Sequence, residues 1–336
     1  GTSDELTALV DAAHARGMRV IMDWVGNHLH ENHPWVAEHP EWFNEQALCN
    51  DSTHDGANWD TIPESCWFAP YLPDINYAQP DVLVKMVDEA LWWATTYKMD
   101  GFRVDAVKHM NHALHRNLNH EIGRRLEHTA LGGGDSFLTL GETFDGYDAI
   151  AAYVSEDELD GQFDFPMYWT INDVFASQTA TLDSLVVANE NAESRFGDAR
   201  MSNFLGNHDV IRFTSKAAEG DVGVCWEGNA LATAQPPEDS NVYDRLILAW
   251  SWLFTRSSPP TIYYGDEIGM PGYTDPDNRQ PLWWYTGGDL SGVQSVEDLA
   301  SRVGTEQARV LMAVKALANG RRDNPVFWRG VTTEWW

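Results

Sequence analysis

Basic residues are scarce in this chain: 22 Lys and Arg stand against 51 Asp and Glu in 336 residues, a formal net charge of −29. Only five of them are lysine. Such a surface repels phosphate backbones and anionic headgroups, which argues against nucleic acid and membrane partners. High salt screens the self-repulsion. The bias therefore fits either a salt-adapted protein or an acidic extracellular enzyme, and it says nothing of the fold. Long apolar runs are missing too, since none approaches the roughly eighteen residues of a membrane helix. At 43% hydrophobic content this length still allows a large core, as one α/β barrel or two ordinary domains. Cysteine is nearly absent, with Cys49, Cys66 and Cys225 alone. The first two flank a stretch rich in Asn, Asp, Gly and Pro, where a disulfide is expected to staple a loop-rich segment and to favour an oxidising compartment. Two free thiols are the alternative. Cys225 has no His or Cys neighbour and receives no role. No signal peptide is visible and the chain opens at Gly1 without Met, as expected of a mature form or a fragment.

What is abundant is aromatic: 16 Trp and 11 Tyr exceed what a core needs, and flat rings stack on sugars, although most of these serve as core. Along the chain, helical and strand-like segments alternate. SDELTALVDAAHAR, from Ser3, reads as a helix with a Ser cap, and MRVIMDWVGNH as a strand with a polar end. The pattern repeats: a helix from Asp81 and then DGFRVDAVKH, a helix from Asn111 broken at GGG and then SFLTLGETF. After them come LDGQFDFP and the helix-like MYWTINDVFAS, then MSNFLGNHD, a helix from Val242 and PPTIYYGDE. A last helix is expected near residues 304–319. Alternation of this kind predicts a parallel sheet wrapped by helices. Polar residues gathered at five strand ends favour a (β/α)8 TIM barrel over a doubly wound open sheet, which collects its site near one switch point. Six strands are counted where eight are needed, so the first two are expected to be lacking. Residues 29–73 form an excursion too long for an ordinary connection, which predicts a functional loop or small subdomain.

Three carboxylates end three different strands: Asp105, Glu142 and Asp209. Two carboxyl groups across a cleft can split a glycosidic bond, one as nucleophile or base and the other as proton donor. Arg103 projects to the same side of its strand as Asp105, and its charge favours the carboxylate a nucleophile requires. The apolar neighbours Leu140 and Phe144 suit Glu142 to proton donation. Singly each residue is as well explained as a helix cap, a loop ligand or, for His208, a core histidine. The ordered set is not.

DWVGNH, GFRVDAVKH, GETF and FLGNHD resemble, in order, the four strand-end motifs of glycoside hydrolase family 13, the α-amylase family; LPDIN, residues 72–76, resembles a fifth. The likeness spans essentially the whole chain. It implies a (β/α)8 barrel from residues 1–28 and 74–336 with the 29–73 excursion as domain B, and the C-terminal β-domain is expected to be absent. It further implies that Asp105 is the nucleophile, Glu142 the general acid/base, and Asp209 the residue that holds sugar hydroxyls and steadies an oxocarbenium-like transition state. Arg103 then orients the nucleophile, His28 and His208 bind the sugar under attack, and Lys108 and His109 line the leaving-group side. In DPDNR, Asp275 and Arg279 correspond to a loop that holds a more distant sugar; an exposed turn is the alternative. Members with this KH ending usually carry Ca2+, and by motif position its ligands are Asn27, Glu64, Asp74 and the His109 carbonyl, a hard oxygen set suited to calcium. Asp23 is expected to be a structural partner beneath the site. The implied activity is retaining endo-hydrolysis of α-1,4-glucosidic bonds in starch-like glucans by a secreted or extracytoplasmic monomer, with carboxyl groups about 5–5.5 Å apart. The competing readings are a transglycosylase of the cyclodextrin glucanotransferase type, with Phe144 as an acceptor platform, and a non-catalytic barrel homologue.

Overall fold

The computed structural model describes residues 1–50, 58–127, 137–220, 233–288 and 292–330. Cys225 and the GGG break fall outside them. The chain divides into two compact units, Gly1–Phe163 with Asp198–Arg200, and Asp164–Gly197 with Met201–Trp336.

The first unit runs α1 (Ser3–His14), β1 (Ile21–Trp24), α2 (Pro34–Glu38), α3 (Asn58–Thr61), α4 (Pro80–Tyr97), β2 (Gly101–Val104), α5 (His112–Ile122), β3 (Leu138–Gly141), α6 (Tyr147–Ala151) and β4 (Gly161–Gln162). Its strands pair in the order β1-β2-β3-β4, all parallel, with Ile21 opposite Gly101 and Gly101 opposite Leu138. α1 is capped one residue earlier than the sequence suggests. Thr2 Oγ1 accepts from the Glu5 amide at 3.3 Å while Glu5 Oε2 accepts from the Thr2 amide at 2.6 Å, a reciprocal cap that leaves Ser3 inside the helix. α4 buries Val82, Met86, Ala90 and Ala94 at helical spacing and stops where Lys98 turns left-handed, φ 55°. Pro80 starts it, where a missing N–H costs nothing. Gly101 begins β2 because a Cβ there would lie 2.3 Å from the Leu138 carbonyl oxygen. Phe102 and Val104 are fully buried on the face away from Arg103, which anchors the strand that carries the charges.

Among the described residues, the 29–73 excursion holds the short helices α2 and α3 and a 3-10 turn at Pro40–Trp42, and the Cys49–Cys66 disulfide bridges it as expected. The amides of Leu29 and Glu31 donate to the carbonyls of Pro73 and Tyr71 at 3.1 and 2.9 Å, so its two ends are laced together.

The second unit runs α7 (Phe165–Ile171), α8 (Leu182–Phe196), β5 (Asn203–Phe204), α9 (Phe213–Glu219), α10 (Ser240–Phe254), β6 (Pro260–Thr261), α11 (Val296–Ala300), α12 (Thr305–Asp323) and α13 (Val326–Arg329). β5 and β6 pair in parallel, Asn203 opposite Pro260. Tyr243, Leu246, Trp250 and Leu253 of α10 form its core with Val310 and Val314 of α12. Among the described residues, six strands fall in the six segments that the alternation pattern marks. α8 is the longest element that pattern misses, the shorter α6, α9 and α11 being others: only Leu185, Ala188 and Phe196 of its fifteen residues are buried, too few for a readable apolar stripe. No helix among the described residues is long and apolar enough to cross a membrane.

Candidate active site

Parallel pairing extends past the ends of β1, β2 and β3, and this extension places the charged residues. The Asp105 amide donates to the Trp24 carbonyl at 3.0 Å, and the Glu142 amide to that of Val104 at 2.8 Å. Asp23 stands directly opposite Arg103 in the register. Arg103 therefore meets three carboxylates. Its Nη1 donates to Asp23 Oδ1 at 2.7 Å and to Asp105 Oδ1, while Nη2 lies 3.8 Å from Glu142 Oε2. Asp23, although 58% exposed, thus serves as a hydrogen-bond partner of the arginine. The side chains of Arg103, Asp105 and Glu142 are 11%, 21% and 13% exposed, withdrawn from bulk water but reachable.

Ala106 makes the bend. It adopts a left-handed φ of 50°, unfavourable for a residue with a Cβ, and so aims its N–H at Glu142 Oε2, 3.1 Å away. The turn that follows, Val107–His109, presents Lys108 to Asp145, whose Oδ2 accepts from Nζ at 2.7 Å. Burial works to raise the Asp145 carboxyl, yet the Lys108 hydrogen bond and charge hold it below the usual carboxylate range. His28 is kept below the ordinary imidazole value by burial, against the pull of the Asp105 charge. The His109 ring is buried, edge-on to Trp59 and Phe68, and its Nδ1–H donates to the Pro63 carbonyl at 2.8 Å. Burial pushes this imidazole down to about 4, so it is neutral, and it ties the excursion to the end of β2.

Beside it lies an oxygen-rich cluster. Asn27 and Asp74 are both fully buried. With its nitrogen turned inward, the Asn27 amide donates to the His109 carbonyl oxygen at 2.8 Å and to Asp74 Oδ1 at 3.2 Å. With its oxygen inward, the amide oxygen faces two other oxygens, the His109 carbonyl and Asp74 Oδ1. Burial pushes the Asp74 carboxyl up to about 8, opposed by hydrogen bonds from Asn44 and Asn27 and reinforced by the nearby Glu64 charge. Glu64 Oε2 accepts from Asn111 at 2.8 Å. No group of three His, Cys, Asp or Glu side chains fit to hold a metal occurs among the described residues. This set mixes two carboxylates with an amide and a carbonyl, a donor chemistry that suits a hard cation.

In the second unit, the segment after β5 carries His208 and Asp209. The Asp209 amide donates to Asn207 Oδ1 at 2.8 Å, a side-chain turn. Its carboxylate lies 3.2 Å from His208 Nε2 on one oxygen and 3.2 Å from Arg279 Nη2 on the other. Arg279 also donates to the His208 carbonyl at 3.0 Å and lies 3.4 Å from Asp275. The structure thus brings together Asp23, Arg103, Asp105 and Glu142 in the first unit, and His208, Asp209, Asp275 and Arg279 in the second. Ala106, Asp145 and Asn278, whose Nδ2 donates to the carbonyls on either side of Asp209, carry the geometry without having been singled out from sequence. A left-handed alanine and an asparagine in a loop leave no chemical signature, whereas Asp145, three residues after Glu142, lies within reach of a charge argument for Lys108.

The family profile described as "Alpha amylase, catalytic domain" matches residues 1–330. A cyclomaltodextrinase from a Bacillus species is 27% identical, the alignment covering 84% of this chain and 46% of that protein. Alpha-amylase 1 of Schwanniomyces occidentalis is 25% identical over 84% of this chain and 50% of its own length. The chain thus spans about half the length of the curated relatives it matches. Among solved structures, the α-amylase of Geobacillus thermoleovorans complexed with acarbose superposes with a TM-score of 0.76 at 28% identity, over 98% of this chain and 63% of that one. An Anoxybacillus α-amylase gives 0.75 at 26%, over 98% and 62%. The fold class is the (β/α)8 barrel that the alternation of strands and helices predicts.

Proposed function

Because the chain belongs to the α-amylase family, glycoside hydrolase family 13, we propose that it cleaves internal α-1,4-glucosidic bonds of starch-like glucans with retention of configuration. The observation that carries this reading is the Arg103 guanidinium held in common by Asp105 and Glu142. One cation beside two shielded carboxyl groups suits a pair with divided roles. A carboxylate oxygen of Asp105 attacks the anomeric carbon as the glycosidic bond breaks, and Glu142 gives its proton to the departing oxygen. Glu142, now a carboxylate, then takes a proton from water, whose oxygen displaces Asp105 from the anomeric carbon. Asp209 holds sugar hydroxyls and steadies the oxocarbenium-like charge. His28 and His208 bind the sugar under attack, Lys108 and His109 line the leaving-group side, and Asp275 and Arg279 hold a sugar further from the cut.

Asn27, Glu64, Asp74 and the His109 carbonyl would hold Ca2+, which supplies rigidity between the excursion, taken as domain B, and the strand ends. The Cys49–Cys66 bridge supports a secreted or extracytoplasmic setting. The partner is the glucan itself, and the acting form is a monomer.

Glu142→Gln tests the assignment. Activity on soluble starch should fall by about 10²–10⁴-fold, with the wild type releasing α-anomeric products; hydrolysis unchanged by the substitution removes Glu142 from the mechanism. A transglycosylase of the cyclodextrin glucanotransferase type is the second reading, supported by Phe144, half exposed two residues after Glu142. Cyclic or elongated products from soluble starch would establish it over hydrolysis. The presence of all three carboxylates weighs against a non-catalytic homologue.

A further inference from the structure

Asn278 lies in the DPDNR run between the two residues assigned to a distant sugar, yet it is fully buried and faces no solvent. Its Nδ2 donates twice, to the His208 carbonyl at 2.9 Å and to the Val210 carbonyl at 2.9 Å. These two carbonyls flank Asp209 on either side. One amide group therefore ties down the backbone before and after a single carboxylate. Asn278 is itself held: its carbonyl accepts from Arg212 Nε at 2.9 Å and from the Tyr263 hydroxyl at 3.3 Å. Arg212 is fully buried, donates to the Tyr264 carbonyl at 2.8 Å and to Asp266 Oδ1 at 2.7 Å, and packs 4.3 Å over the Tyr263 ring. Gly272 completes the cradle, since a Cβ there would lie 2.7 Å from the Asn278 Cα.

We infer that Asn278 is a positioning residue for Asp209, setting the backbone on both sides of that carboxylate from a buried arginine platform. The inference rests on the assignment of Asp209 to the reaction. Buried amide donors aimed at two carbonyls restrict the torsions on each side of the residue between them. A displacement of about 1 Å at a reacting group costs on the order of 10²-fold in rate, and the neighbouring Arg279 contacts would move with the loop.

The test is a double-mutant cycle in the full polypeptide, assayed on a soluble maltooligosaccharide. Asn278→Asp keeps the shape but replaces the Nδ2 that makes both donations by an acceptor oxygen facing two carbonyls, and Asn278→Ser keeps a single donor. Both should lower kcat by roughly 10–100-fold with KM within about 3-fold, the Ser variant less than the Asp variant. In an Asp209→Asn background, adding Asn278→Asp should cost less than about 3-fold further, because the partner it serves is already gone. Activity within about 3-fold of wild type for Asp209→Asn alone would overturn the assignment of Asp209, and this inference with it. Loss of activity in Asp209→Asn, with Asn278→Asp lowering only the melting temperature or adding its full effect in both backgrounds, would overturn the inference alone.

Discussion

Replacing Arg103 by Met asks how much of the site depends on one cation. The side chain is 11% exposed and lies 3.8 Å from Glu142, with Asp105 in direct contact. At an effective dielectric near 20, unit charges about 4 Å apart, an outer bound for the direct Arg103–Asp105 contact, attract by roughly 4 kcal/mol. Residual water and salt screen about half, leaving about 2 kcal/mol as the lower bound. Met fills a similar volume but holds neither carboxyl group, so Asp105 loses the counter-charge in contact with it. If that energy is spent on the ionised nucleophile and its orientation, kcat/KM on soluble maltooligosaccharides should fall between about 30-fold and 1,000-fold. Arg103→Lys keeps the charge, but one ammonium cannot span the Nη1 and Nη2 contacts, and it should fall between wild type and Met. Breaking a shielded ion pair also costs about 3–5 kcal/mol of stability, so melting curves must show both variants folded at the assay temperature. A folded Met variant with activity within about 3-fold of wild type would refute the reasoning, and Lys and Met variants of equal activity would refute its electrostatic part.

Removing the Cys49–Cys66 bridge by a double Ser substitution opens a loop with a sequence separation of 17. Chain entropy puts the cost near 3 kcal/mol, and an unchanged melting temperature would contradict it. Asp164 is a buried cap that burial pushes from 3.8 up to about 6, opposed by the Met167 amide. The folded state therefore binds this proton more tightly than the unfolded state. Its contribution of roughly 3 kcal/mol is full below pH 3.8 and lost as pH rises through about 6. Asp164→Asn should flatten the fall in unfolding free energy across that window in urea titrations, and an unaltered slope would count against it. Chelator should lower the melting temperature, with calcium at a hundred times its dissociation constant restoring about 2.7 kcal/mol. Asn27→Ala and Asp74→Ala should abolish that response, and a response intact in both would remove these ligands.

Much of the fold was open to reading because strand ends and helices differ in period, and the buried strands carry apolar runs that stop abruptly at charge. The excursion and its disulfide were visible as a break in that period. α8 was not, because its buried residues are few and its polar ones resemble a loop. The Ser3 cap failed for a local reason: Thr2 and Glu5 satisfy each other, an arrangement one residue out of register with the one inferred.

The order and kind of the charged residues, their strand-end positions and the family they signal came from sequence alone, since residue type and periodicity are linear properties. Tertiary structure decided which groups share a proton or a charge. Asp23 meets Arg103 beside Asp105 because parallel register sets residues 80 apart side by side. Ala106 points its N–H at Glu142 because the chain is forced left-handed there. His109 turns its ring to Pro63, and Asn278 reaches both sides of Asp209 from about 70 residues away. Those contacts are set by packing across distant segments, and no local pattern encodes them.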